Sequence, residues 1–178
     1  MKDAVHQPRI LVVDDHSAIR AGLARAIEEA QMVCCAMAAS KSEAIAQLAH
    51  TNPDAIVVDL NLPDGSGLDL IRWVRKNSSE IAIVMLTMSD SDSDLIAAMN
   101  AGASGYVKKS APLQELVSVL ERALLAPNSF TASDIVSALK TVSAPNLLTQ
   151  REIEVLRALA RVGDTQKLAS ELHISEST

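Results

Sequence analysis

Asp54-Ala55-Ile56-Val57-Val58-Asp59 is an aliphatic run closed at each end by a carboxylate. Polar and apolar positions do not alternate in it, which marks a strand buried on both faces, as in a parallel sheet covered by helices. Four runs of the same kind flank it, Arg9–Asp14, Met32–Ala38, Ile81–Leu86 and Gly105–Lys108, and segments of helical period separate them. Between the first two runs, Ile19, Leu23, Ala26 and Ile27 form one apolar stripe of an amphipathic helix. Later helices are predicted near Lys41–His50, Gly67–Lys76, Asp92–Asn100 and Pro112–Ala126, the last with Pro in its first turn, where the missing N–H costs nothing. Five strand–helix units with short connections predict an α/β fold: a five-stranded, doubly wound parallel sheet with right-handed crossovers. A ligand site is expected at the carboxyl ends of its strands.

The composition agrees with that architecture. Of 178 residues, 48% are hydrophobic but only 2% aromatic, so the core is built from Ala, Val, Ile, Leu and Met. Such a content excludes a disordered or collagen-like chain. The net charge of −6 excludes a surface that grips nucleic acid throughout and confines any DNA contact to one region. Residues 1–8 are polar, and no run approaches the ~18 apolar residues of a membrane span, so the expected location is cytoplasmic, with no membrane partner. Adjacent Cys34 and Cys35 are expected to point to opposite faces of the second strand and read as small reduced hydrophobes, not as a disulfide or a zinc site. Asn77-Ser78-Ser79 matches a glycosylation acceptor only formally, since no secretory signal precedes it.

Asp14 and Asp15 close the first strand, Asp59 closes the third, Thr87 follows the fourth and Lys109 follows the fifth, so all five gather at one edge of the sheet. Carboxylates so placed repel one another unless a cation joins them, and Mg²⁺ takes one or two carboxylates together with waters and phosphate oxygens. The set reads as a metal-assisted phosphoryl site. Asp59 is its carboxylate nucleophile, forming an acyl phosphate, and Lys109 pairs with a phosphoryl oxygen. Gly65-Ser66-Gly67 lacks the third glycine and the lysine of a nucleotide loop and is read as turn chemistry. His16 is set aside as a ligand because Mg²⁺ prefers oxygen, and His6, His50 and His173 have no partners at ligand spacing. Met85, Met88 and Met99 are read as core packing, with Met88 also a long side chain beside Thr87 that restricts access to it.

Taken together, Leu11-Val12-Val13-Asp14-Asp15, Ile56-Val57-Val58-Asp59-Leu60-Asn61-Leu62-Pro63, Leu86-Thr87 and Gly105-Tyr106-Val107-Lys108-Lys109 resemble the signature set of receiver domains, over roughly residues 8–126. The resemblance implies a flavodoxin-like sheet of strand order 2-1-3-4-5, with Asp59 as phosphoacceptor. It further implies a Mg²⁺ site at Asp59, with Asp15 and the Asn61 backbone carbonyl as direct ligands and Asp14 assisting through water. Thr87 and Tyr106 fall on the family's switch positions. Lys109, not Lys108, is the phosphate-binding lysine, because the family's lysine lies four residues after the glycine. Phosphorylation is then expected to draw Thr87 toward the phosphoryl group while Tyr106 fills the space it leaves. Two or three charged hydrogen bonds of ~1.5–3 kcal/mol each cover the ~5.5 kcal/mol that moves a two-state element from 1:99 to 99:1.

Beyond Ala126 the pattern breaks at Pro127-Asn128-Ser129 and again at Ser143-Ala144-Pro145-Asn146. Residues 127–147 are therefore read as a linker with a short helix carrying Ile135, Val136, Leu139 and Val142, capped by Thr131 and Asp134. Thr149-Gln150-Arg151-Glu152 opens a further helix with Val155, Leu156 and Leu159 on its apolar face, and a shorter one follows with Leu168, Ala169 and Leu172. These resemble the start and the scaffold helix of the LuxR-type helix-turn-helix of NarL/FixJ regulators. Two departures are Gly163, one position later than usual, and His173 at a turn position where Gly is frequent. The expected division is a receiver at 1–126, the linker at 127–147 and a partial all-α helix-turn-helix domain at 148–178. The sequence ends where the recognition helix is expected to begin, and residues 148–178 carry four Lys or Arg against five acidic residues. The expectation is thus a truncated form that does not select DNA, of a regulator that does.

The implied function is that of a two-component response regulator, not an enzyme. A sensor histidine kinase or a small phosphodonor with Mg²⁺ phosphorylates it, and it controls transcription, with a phosphorylation-dependent homodimer. Two other readings compete: an adaptor regulated by protein contacts without phosphate, and a phosphatase of the haloacid dehalogenase type. The second wants an Asp two positions after the nucleophile, where this sequence has Asn61.

Overall fold

The computed structural model describes residues 7–132; the readings for residues 1–6 and 133–178, including His6, the linker helix and the helix-turn-helix, lie outside the described residues. In chain order the elements are β1 (Arg9–Val13), α1 (Ser17–Glu29), β2 (Val33–Ala38), α2 (Lys41–Thr51), β3 (Ala55–Asp59), β4 (Asn61–Leu62), β5 (Gly65–Ser66), α3 (Gly67–Asn77), β6 (Ala82–Thr87), α4 (Asp92–Ala101), β7 (Gly105–Lys108) and α5 (Leu113–Leu125). The main sheet runs β2-β1-β3-β6-β7 and is parallel throughout. This is the flavodoxin-like order expected above. Every residue of the inner strands β3 and β6 is buried, as their unbroken aliphatic runs require.

Side chains alternate along each strand, so the register fixes two faces. Ile10, Val12, Ala55, Val57, Val84, Leu86 and Val107 pack in one cluster with Leu23 and Ile27 of α1 and Leu116, Val119 and Leu120 of α5. The intervening residues, Leu11, Val13, Ile56, Val58, Ile83 and Met85, are just as deeply buried and face the other layer, in which α3 touches both α2 and α4. Gly105 has a steric reason. A Cβ there would collide with Cγ1 of Val119, so only glycine lets α5 lie against β7 at this depth.

Four local features depart from the sequence reading. The stretch after Asp59 closes into a small antiparallel hairpin, with Asn61 opposite Ser66 and Leu62 opposite Gly65. Pro112 sits at the N-cap of α5 with φ −57° and ψ 142°, so the helix proper begins at Leu113. In β2 the register slips, Ile10 opposing Cys34 but Leu11 opposing Ala36. Cys35 is the extra residue of a bulge, where strict alternation fails; both thiols are free. Met88 is 73% exposed while Met85 is fully buried, because β6 ends at Thr87 and its alternation ends with it.

Candidate functional site

Alternation carries three charged side chains to one place. Asp14 continues the column Ile10–Val12, Asp59 the column Ala55–Val57, and Lys109 the column Gly105–Val107, all on the face that α1 and α5 cover. Thr87 and Tyr106 continue the opposite face, with Tyr106 beside Met85 in the register. Lys108 shares that second face, and its ammonium meets the Asp90 carboxylate at 2.9 Å. The two adjacent lysines are therefore separated by geometry. Lys109 Nζ lies 2.6 Å from Asp14 Oδ2 and 2.8 Å from Asp59 Oδ2.

Asp14, Asp59, Thr87 and Ser104 are the buried polar side chains among the described residues, and the first two belong to this cluster. Burial pushes the Asp59 carboxyl above its ordinary range, and Asp14 adds to the shift; the Lys109 ammonium and the Asn61 backbone N–H oppose both without reversing them. For Lys109, burial works against the charge, but hydrogen bonds to Asp14 and Asp59 and the attraction of both carboxylates leave its pKa raised. The Thr87 hydroxyl oxygen accepts the Ser89 N–H at 3.0 Å. Tyr106 is only 4% exposed. Its buried hydroxyl completes no hydrogen bond, although Thr87 is near enough to bias its ionisation.

The loop that follows Asp59 is held from two sides. Gly67 approaches the Asp59 carbonyl so closely that a Cβ would collide with its oxygen, and its N–H donates to the Leu60 carbonyl at 2.7 Å. Ser66 then caps α3 by accepting the Leu68 N–H. At the hairpin tip the Asp64 carboxylate accepts the backbone N–H groups of Lys41 at 2.7 Å and Ser42 at 2.8 Å. Hydrogen bonds from Ser42 and Lys41 hold its pKa down at about 2. Sequence reading missed this role of Asp64, because the partners are backbone amides at the start of α2 and carry no side-chain signal.

Asp14, Asp15, Asp59 and His16 place one ligand atom each within 4.8 Å of one another. Three carboxylates against one lysine leave two negative charges, and an oxygen donor set of that charge fits a divalent cation such as Mg²⁺. His16, set aside in the sequence, belongs to the cluster in space. Its Nδ1 lies 2.5 Å from Asp15 Oδ1, and its backbone N–H donates to Asp14 Oδ1 at 2.8 Å.

A parallel sheet in this order, with an acid-and-lysine cluster at its carboxyl edge and a buried Thr–Tyr pair on the adjoining face, defines a receiver domain, the input module of phosphorylation-based signalling. The response regulator receiver domain model matches residues 10–121, and the chain belongs to that family. The nitrate/nitrite response regulator protein homolog of Haemophilus influenzae is 32% identical over 176 residues, covering 96% of this chain and 84% of that protein. The response regulator UvrY of Escherichia coli is 29% identical over 178 residues, covering 95% and 81%. A solved LuxR-family two-component response regulator from an Aurantimonas species superposes with a TM-score of 0.70 at 34% identity, over 76% of this chain and 97% of that one. The chain is a two-component response regulator of the NarL/UvrY type of transcription regulator. These relatives are regulators, not enzymes. Among the described residues no helix is long and apolar enough to cross a membrane.

Proposed function

We propose that Asp59 accepts a phosphoryl group from a sensor histidine kinase or a small phosphodonor, with Mg²⁺ held by Asp15, Asp59 and the Asn61 carbonyl and by Asp14 through water. The observation that carries this reading is the Lys109 ammonium shared between Asp14 and Asp59 at 2.6 and 2.8 Å. A carboxylate oxygen of Asp59 attacks phosphorus, the new P–O bond forms, and the donor's bond to phosphorus breaks with its electron pair leaving on the donor. Lys109 passes from the carboxylate to a phosphoryl oxygen and offsets charge there. Mg²⁺, when bound, supplies neutralisation of the phosphoryl oxygens. The Thr87 hydroxyl turns to a phosphoryl oxygen and vacates the space beside Tyr106. The output is transcription control by the helix-turn-helix begun at residues 148–178, after a receiver at 1–126 and a linker at 127–147, in the cytoplasm and with phosphorylation-dependent homodimerisation.

An acyl phosphate donor with Mg²⁺ is expected to add one phosphoryl group to the intact protein, labile to hydroxylamine and absent from Asp59→Asn. Mass spectrometry reads both. Undiminished labelling of the variant would move the nucleophile elsewhere, whereas an unlabelled wild type would favour the adaptor reading. Sustained turnover of a phosphomonoester would revive the phosphatase.

A further inference from the structure

The fourth buried polar side chain, Ser104, lies at the opposite end of β7 from the acidic cluster and binds the chain that follows α5. Its hydroxyl donates to the Pro127 carbonyl at 2.5 Å. The Thr131 N–H donates to the Ser104 carbonyl at 2.9 Å, and the Tyr106 N–H donates to the Thr131 carbonyl at 3.2 Å. Gly105 and Thr131 form a parallel bridge. Residues 127–131 thus lie along the outer edge of β7, the edge that the sheet order leaves open and that isolated strands expose to foreign pairing.

Arg75 fastens this segment. Its guanidinium donates to the carbonyls of Gly102 (2.7 Å), Ile81 (2.6 Å) and Pro127 (2.9 Å) and to the Ser104 hydroxyl (2.9 Å). Among the described residues no carboxylate pairs with it, and burial lowers its pKa. One half-buried cation therefore ties the end of α3, the start of β6, the α4–β7 turn and the post-α5 segment through neutral acceptors.

We propose that residues 127–131 are a strap docked on the β7 edge, and that the position of Tyr106 sets how firmly that strap is held. The proposal rests on Asp59 and Tyr106 acting as described above. Tyr106 belongs to both parts: its ring is buried on the Thr87 side, and its backbone N–H holds the strap. The ring's hydroxyl completes no hydrogen bond, so packing and not a polar partner sets its buried position. When Thr87 turns to the phosphoryl group, the ring gains room inside, β7 settles, and the strap is held more firmly. Coupling of this kind is reciprocal, so loosening the strap also loosens Tyr106.

Amide hydrogen exchange on the 178-residue chain tests this, with Asp59 occupancy read by intact mass in the same samples. Phosphorylation is expected to slow exchange at Thr131 about tenfold, and Tyr106→Ala to speed it about tenfold without any phosphodonor. Thr131→Pro, which removes the strap's donor outside the core, is expected to speed exchange at Tyr106 to a similar degree. Arg75→Met should do the same at both positions. A Thr131 rate that Tyr106→Ala leaves unchanged overturns the strap, as does an unchanged or faster rate in protein whose mass shows the phosphoryl group. Failure to acquire that mass speaks against the Asp59 reading instead, and the unphosphorylated variants still decide the strap.

Discussion

At the carboxyl edge of the sheet, Asp14 and Asp59 share one ammonium with Asp15 close by and the cluster retains negative charge, whereas at the amino edge the Arg75 guanidinium gives four of its five N–H donors to three carbonyls and a hydroxyl. Each cluster draws on several elements and buries polar atoms, but they meet different ends. The first is left short of a cation, which is the condition for binding one and for receiving a phosphoryl group. The second directs its donors to neutral acceptors of the fold itself, which is the condition for holding chain segments in place. β7 runs between them, with Lys109 beyond one end and Ser104 before the other.

If the contrast holds, breaking the Arg75 cluster has the largest effect on stability. Arg75→Met strands the half-buried carbonyls of Gly102 and Ile81 and is expected to lower unfolding free energy by about 2–4 kcal/mol, because a group that is only half-buried costs about 1–2 kcal/mol when left without a partner, the lower part of the range for buried groups. Chemical denaturation measures it. The acidic cluster should respond in the opposite direction. Because burial raises the Asp59 pKa in the folded state, ionised Asp59 destabilises the fold at every pH above that raised value, and protonation on acidification relieves it. Asp59→Asn is therefore expected to raise the melting temperature at neutral pH without Mg²⁺, and a fall would contradict the assignment of strain to this carboxylate. The smallest effect belongs to Asp64, an exposed group whose pKa is lowered from 3.8 to about 2. Its stabilising contribution is present in full above about pH 4 and is lost as the pH falls through about 2. Wild type should accordingly lose its margin over Asp64→Asn across that window in melts followed by circular dichroism.

The two clusters also differ in how far a sequence reveals them. Asp14, Asp59 and Lys109 are legible because each stands where an aliphatic run stops, and a parallel sheet collects those stops along one edge. The choice of Lys109 over Lys108 came from family resemblance; the structure adds a reason in the alternation of β7, which turns Lys108 toward Asp90. Arg75 was silent because its partners are backbone carbonyls and Ser104, a residue type that elsewhere among the described residues is mostly at the surface or in a turn. Asp64 was silent for the same reason, and Cys35 because a bulge leaves no mark on an aliphatic pattern. Residues 127–131 read as the start of a linker, since Pro-Asn-Ser stops a helix but does not say where the chain goes next.

The division of labour between the clusters is tested most directly by melting wild type, Asp15→Asn and Arg75→Met across a Mg²⁺ titration. A ligand that binds only the folded state stabilises it by about 2.7 kcal/mol at a hundred times its Kd. Wild type should show that rise, Asp15→Asn should lose most of it, and Arg75→Met should start lower yet rise by the same amount. A full rise in Asp15→Asn, or none in Arg75→Met, would contradict the account.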